Sequence, residues 1–367
     1  MAKPISFARG APSLDIVDVD GLRAAAERAF AEDPAGVTGY GTAIGYPPLR
    51  EWIAQYHQVD PAQVMVTNGS MQADAFLFDA LVESGDVVIV ERPTYDRTLL
   101  SLRGRGADVR AVELEADGID VAAVERVLVA GAKPKLAHII PNFQNPAGCT
   151  LSEAKRQGLL ELASRYEFTI FEDDPYAALR FEGAPLARMV EMDGERVVYA
   201  SSFSKTVCPG IRVGYLVGPS ELIARIVKLA TGTYISPSMV SQAIVHQFCI
   251  SGALDKSIET VKEALHERAQ TLGQSLRREL PDARFVEPEG GYFLWLELPR
   301  GTDVDSLFTA ASERGVQFVK GSDFVLEGGD SSLRLAYSGV TPSEIEEGVK
   351  RLAEAFRDVT GEVPSAV

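Results

Sequence analysis

The chain has 367 residues, 46% of them hydrophobic and 24% charged, with a formal net charge of -16. That length supports two lobes better than one, and the acidic balance argues against the basic patch of a nucleic-acid binder. The start, MAKPISFARGAPSLD, has no apolar signal core, no run approaches the roughly 18 apolar residues of a membrane span, and the few cysteines suit a reducing cytosol.

In chain order, short apolar runs read as strands at QVMVT (63–67), DVVIV (86–90), ADVRAVEL (107–114), LAHII (136–140), FTIFE (168–172), RVVYAS (196–201) and VGYLVG (213–218). Between them, MQADAFLFDALVES, DVAAVERVLVAG and LSEAKRQGLLELASRYE carry helical spacing. This alternation predicts an α/β fold with a mostly parallel, doubly wound sheet covered by helices on both faces. Beyond residue 219 the pattern turns helical, and the longest helix is expected to start at Ala253. GGYFLWLEL, VQFV and SLRLAYS then read as strands of a second, smaller α+β lobe.

In open α/β sheets ligands gather beyond the carboxyl ends of the strands, so the residues that follow each predicted strand carry the functional signal. Asn68-Gly69-Ser70 leads into a helix, and Glu91-Arg92-Pro93-Thr94 precedes Tyr95. PNFQNP brings Asn145, FEDDPY brings Asp173, Asp174 and Tyr176, and SSFSK brings Ser202 and Lys205. Each has a plainer reading alone. Ser70 is a helix cap, Asn145 a turn residue, Asp173 and Asp174 solvated loop acids, and Arg212 and Arg334 edge charges. Chance does not favour all of these types at successive strand ends. A phosphate wants a helix N-terminus, a hydroxyl and an arginine. A flat ring wants an aromatic partner, a protonated ring nitrogen wants a buried carboxylate, and an aldehyde wants a lysine amine. Pyridoxal 5'-phosphate (PLP) presents all four features.

At this point the chain resembles a known family. PNFQNPAG, FEDDPYAALRF, SFSKTVCPGIRVGY, PEGGYFLWLELP and LRLAYS, in that order, look like the fold-type I, class I/II aminotransferases, nearest in style to the α-aminoadipate/kynurenine aminotransferase group. The resemblance implies an aspartate-aminotransferase-like fold, with a large PLP-binding domain over 35–252 and a small domain from 1–34 and 253–367. It further implies that the strand after Lys205 runs antiparallel, so that Arg212, which precedes its strand, meets the same sheet edge. Lys205 would link to PLP as a Schiff base and then shuttle the substrate proton. Asp173 would pair with the ring nitrogen, Tyr95 would stack on the ring, and Asn145 and Tyr176 would bond the ring hydroxyl oxygen. Ser202, Arg212 and the N–H groups of Ser70 and Met71 would hold the phosphate. Arg334 would take the substrate α-carboxylate, assisted by Asn145 and the backbone near Gly10. Tyr40 would reach the phosphate of a second copy, which implies a homodimer. The reaction implied is transfer of an amino group from an L-amino acid to a 2-oxo acid, 2-oxoglutarate being the family's usual acceptor. Met71 and Tyr292 depart from the glutamine and methionine common in the family, and Tyr292 is expected to change the pocket wall.

Three other readings are weaker. Gly39, Gly41 and Gly45 imitate a dinucleotide fingerprint, but no apolar strand precedes them. Regulators with an aminotransferase-like body carry an additional DNA-binding head, for which the acidic chain shows no sign. A β-lyase, decarboxylase or racemase uses the same cofactor, because the pocket selects the bond broken. The histidines (His57, His138, His246, His266) are scattered without metal-site spacing.

Overall fold

The structure, a computed structural model, describes residues 3–361. The outermost parts of the expected small domain, 1–2 and 362–367, lie outside the described residues. A short strand β1 (Ile5–Ser6) is followed by the helices α1 (Val19–Glu32), α2 (Pro34–Thr38) and α3 (Pro47–His57). The alternating region then runs β2 (Val64–Thr67), α4 (Ser70–Leu81), β3 (Val87–Arg92), α5 (Asp96–Gly104), β4 (Asp108–Glu115) and β5 (Gly118–Ile119). It continues through α6 (Val121–Val129), β6 (Pro134–Ile139), α7 (Glu153–Tyr166), β7 (Thr169–Asp173), α8 (Met189–Met192), β8 (Val197–Ser202) and β9 (Gly214–Val217). Helices α9 (Ser220–Tyr234), α10 (Met239–Ile250) and α11 (Ala253–Glu279) lead to the last segment. That segment holds β10 (Phe293–Glu297), α12 (Val304–Glu313), β11 (Val316–Gln317), β12 (Val319–Lys320), β13 (Ser332–Ala336) and α13 (Pro342–Thr360).

The large sheet has the order β2-β9-β8-β7-β6-β3-β4-β5. Strands β4, β3, β6, β7 and β8 are mutually parallel, and β9 is antiparallel to both β8 and β2. The reversal implied by the family resemblance is therefore present. The central strands read as continuous apolar runs because helices cover both faces; Val197, Val198, Tyr199 and Ala200 of β8 are all buried. Helix starts are set by local chemistry. The Asp18 carboxylate accepts from Gly21 N–H, Asp120 caps α6 through Ala123 N–H, and Thr341 with Glu344 forms a capping box for α13.

The second lobe is built on the three-stranded sheet β10-β13-β12. The expected single strand VQFV is split. β11 pairs in parallel with β1, β12 pairs with β13, and Phe318 turns inward between them at 2% exposure. Residues 1–34, expected together in the small lobe, also divide. Ile5, Phe7 and Ile16 enter the small-lobe core, whereas α1 packs along α10 and buries Ala25 and Ala29 in the large-lobe core. Two alanines four apart put a narrow face on α1, which allows that close approach. Helix α11 joins the lobes, with Leu254 in the large core and Val261 to Leu276 in the small one.

Candidate active site

A cleft of about 470 Å³ opens at the carboxyl edge of the large sheet, where the second lobe covers it. The strand register explains who meets there. Asp173 closes β7 opposite Ala200, Ser202 closes β8 opposite Gly214, and Thr67 of β2 flanks Gly214 from the other side. Ser70 and Met71 open α4, Tyr95 follows β3, Asn145 follows β6, and all four line the cleft with Tyr176, Lys205 and Arg212. From the other lobe come Arg334 on β13 and the N-terminal residue Gly10. Tyr40 is absent from the lining and stands 94% exposed.

One end of the cleft is shaped for an anion. The first turn of α4 has no side-chain cap, and Ser70 and Met71, whose N–H groups begin that turn, line the cleft. Gly69 has φ +85°, and a Cβ there would lie 2.4 Å from the Arg212 guanidinium. At Gly214 a Cβ would sit 2.5 Å from Ser70 N. Glycine at both positions lets the helix start, the strand and the arginine converge. Arg212 donates to Ser204 Oγ at 3.4 Å and to Asn68 O at 3.2 Å, while Ser202 Oγ accepts from Ser204 N–H at 3.1 Å.

In the middle lies Lys205. Its Nζ donates to Gly10 O at 2.7 Å and stands 5.7 Å and 5.3 Å from the ring centres of Tyr176 and Tyr292. Burial, together with the charges of Arg334 and Arg212, pulls its pKa down to about 8 against the opposing pull of Asp173. Tyr292, expected at the pocket wall, is fully buried and donates its hydroxyl to Lys205 O at 2.7 Å. It thereby fixes the backbone that carries the lysine.

Beyond the lysine the two adjacent acids part company, as alternation along a strand requires. Asp173 faces the cleft, with Oδ2 3.3 Å from His138 Nε2. Asp174 faces away, accepting from Asn142 Nδ2 at 3.0 Å, and burial raises its pKa. His138, which the sequence marks only as an isolated histidine, is fully buried on β6 and backs Asp173. Tyr95 has its hydroxyl 3.8 Å from Met71 Sδ, and burial pushes its pKa up to about 12.

The second lobe contributes a buried cation. Arg334 donates to Asn145 Oδ1 at 2.9 Å and to Ala8 O at 2.7 Å, and its guanidinium lies over Phe293 (4.3 Å) and Phe324 (4.9 Å). Its Nε is buried without a partner among the described residues. At the mouth, Thr94 N–H donates to Phe324 O at 2.9 Å and Arg92 to Glu327 O at 3.0 Å, tying the two lobes together. Sequence reasoning missed Ser204, Phe293, Phe324 and Asp74 in the lining. Asp74 had a legible signal, an acid one helical turn after Ser70 in an otherwise apolar helix face.

The family described as aminotransferase class I and II matches residues 2–352. The chain belongs to that family. Class I/II aminotransferases are PLP-dependent transaminases, and so is this chain. It is 33% identical to the aromatic-amino-acid aminotransferase 1 of Thermococcus litoralis, over 96% of this chain and 88% of that one. It is also 33% identical to the 2-aminoadipate transaminase of Thermus thermophilus, over 96% of this chain and 90% of that one. Among solved structures, the Thermus thermophilus α-aminoadipate aminotransferase LysN, complexed with N-(5'-phosphopyridoxyl)-L-leucine, superimposes with a TM-score of 0.93. The match has 32% identity and covers 98% of this chain and 94% of that one. The donor set of this transaminase fits the cofactor. A lysine with a lowered pKa, a buried carboxylate and an uncapped helix start with an arginine against it lie in one cleft.

Proposed function

We propose that this transaminase takes its amino group from an L-amino acid and passes it to 2-oxoglutarate, in a ping-pong sequence run in the cleft between the lobes. When bound, PLP supplies a ring that accepts the electron pair left at the substrate Cα. Lys205 is the residue that links to the cofactor. Released by substrate, its Nζ would take the proton from Cα and return it to the cofactor carbon C4′ on the far side of the substrate nitrogen. The lowered pKa suits this task, because a neutral amine is the form that attacks and accepts.

Asp173 holds the proton on the ring nitrogen, and His138 behind it fixes the carboxylate. Tyr95 covers a ring face, and Asn145 and Tyr176 donate to the ring hydroxyl oxygen. The phosphate rests on Ser202, Arg212 and the N–H groups of Ser70 and Met71. Arg334, oriented by Asn145 and Ala8, takes the substrate α-carboxylate in a two-pronged pair that lysine cannot copy. The backbone near Gly10, whose carbonyl accepts from Lys205 Nζ, would assist Arg334 there. Tyr40, exposed and away from its own cleft, serves the phosphate of a second copy in a cytoplasmic homodimer. An active monomer in sedimentation contradicts that last assignment.

The observation that carries this reading is the convergence of Lys205, Asp173 and Arg334, drawn from both lobes, in one cleft. The test is a screen of aromatic, 2-aminoadipate and kynurenine donors against 2-oxoglutarate, following glutamate formation and the loss of the visible cofactor band. Glutamate formed with one of these donors supports it. Ammonia or CO₂ release without glutamate contradicts it.

A further inference from the structure

Asp74 sits one turn beyond Ser70 on α4, on the face that lines the cleft. Its neighbours on the helix, Ala73, Phe76, Leu77 and Phe78, pack into a core shared with Phe171 of β7 and Ala200 of β8. The acid is 8% exposed and its Oδ1 has no hydrogen-bond partner among the described residues. An ionised carboxylate in such a place costs several kcal/mol, on the order of what a pKa shift relieves. Burial and then the charge of Asp173 accordingly push the Asp74 pKa well above the carboxylate range. The surrounding groups are few in kind. β7 brings Asp173, backed by His138 of β6, and α5 brings Tyr95 at its start with Asp96 and Arg97 toward the mouth. Lys205 and Arg212 share the cleft, while α9 brings the apolar Ile223, Ile226 and Ala230 to the core under α4 and sets the Tyr234 ring 5.6 Å from Phe76. Tyr95 and Asp173 line the cleft together with Asp74.

We propose that Asp74 is a proton donor at the ring-nitrogen end of the cofactor site, beside Asp173 in the lining of the cleft. This rests on the reading of the cleft as the PLP site. A ring nitrogen that enters without a proton receives the one on Asp74. The carboxyl O–H bond breaks, its electron pair stays on oxygen, an N–H bond forms, and two carboxylates then face one pyridinium. Two negative charges favour the protonated ring more than Asp173 alone. Asp74 also brings its own proton, so PLP binding does not draw one from solvent as pH rises.

The test is PLP titration of apoenzyme, read by the visible band and by quenching of intrinsic fluorescence, for the wild type and Asp74→Asn. The two are expected to bind within about threefold at about pH 6, and the variant to fall about tenfold behind at about pH 9, because it must take its proton from solvent. A ratio that does not change with pH overturns the proposal. PLP binding to neither protein overturns the cofactor reading instead. A measurement on the wild type alone covers a variant that does not fold. In the loaded-minus-empty infrared difference spectrum, the loss of one protonated-carboxyl band is expected on loading with PLP, and the absence of that loss overturns the proposal.

Discussion

Two arginines are buried about equally, and they do opposite things. Arg156 of α7 is fully buried beneath the loop that carries Asn142. Its Nε donates to Leu151 O, Nη1 to Ala187 O, and Nη2 to Pro141 O and Asn142 Oδ1, with the Glu172 carboxylate 3.8 Å away. Arg334 is 7% exposed, yet it keeps a buried Nε with no partner among the described residues and faces a cleft. Glu172 and Asp74 repeat the contrast among acids. Glu172 accepts from Met189 and Val190 N–H, whereas Asp74 Oδ1 accepts from nothing among the described residues. A buried polar group whose valences are filled by its own chain holds the fold together. One left short of partners in a cleft is waiting for a ligand, because leaving it so has a free-energy cost that the fold alone does not offset.

The largest effect that sharpens this contrast is Lys205→Ala. Turnover is expected to fall by at least about 10⁴-fold with the melting temperature unchanged, and near-normal rates break the assignment. Next, Arg334→Leu should lower kcat/KM by roughly 10³-fold, the loss of a buried bidentate carboxylate contact, with Arg334→Lys recovering only part of it. Arg156→Leu should do the reverse. It should cost about 3 kcal/mol in denaturant unfolding, since four oxygens and Glu172 lose their partner, while the folded fraction keeps kcat/KM within about threefold. A catalytic defect in folded Arg156→Leu would erase the distinction. The smallest effect is on pH. The neutral fraction of Lys205 falls roughly tenfold per unit below its pKa. PLP capture by apoenzyme should therefore accelerate as pH rises toward about 8 and level off above it. A rate flat from mildly acidic pH upward contradicts a lysine at that pKa.

Much of this was legible in the sequence, for identifiable reasons. Strand ends read well because apolar runs stop abruptly at Asp173, Ser202 and Asn68, where side chains must turn from core to cleft. The antiparallel β9 followed from family resemblance, not from its own pattern, since VGYLVG reads the same in either direction. The N-terminal segment was misplaced in part, because the alanine face of α1 gives little amphipathic signal and its partner α10 is more than 200 residues away. The split of VQFV depends on a long-range choice of partners that no local rule contains. His138 was passed over because a single histidine in a strand signals chemistry only once its neighbours across the sheet are known, and Asp74 because its helix also carries the exposed Asp79.

The central claim is that the cleft is organised around Lys205 as the covalent attachment point. Borohydride reduction of the PLP-loaded protein, followed by peptide mapping by mass spectrometry, tests it most directly. The account predicts one phosphopyridoxyl group per chain, on the peptide carrying Ser202 to Val207 and on Lys205 within it. A stable label on another lysine, with Lys205 unmodified, would contradict it.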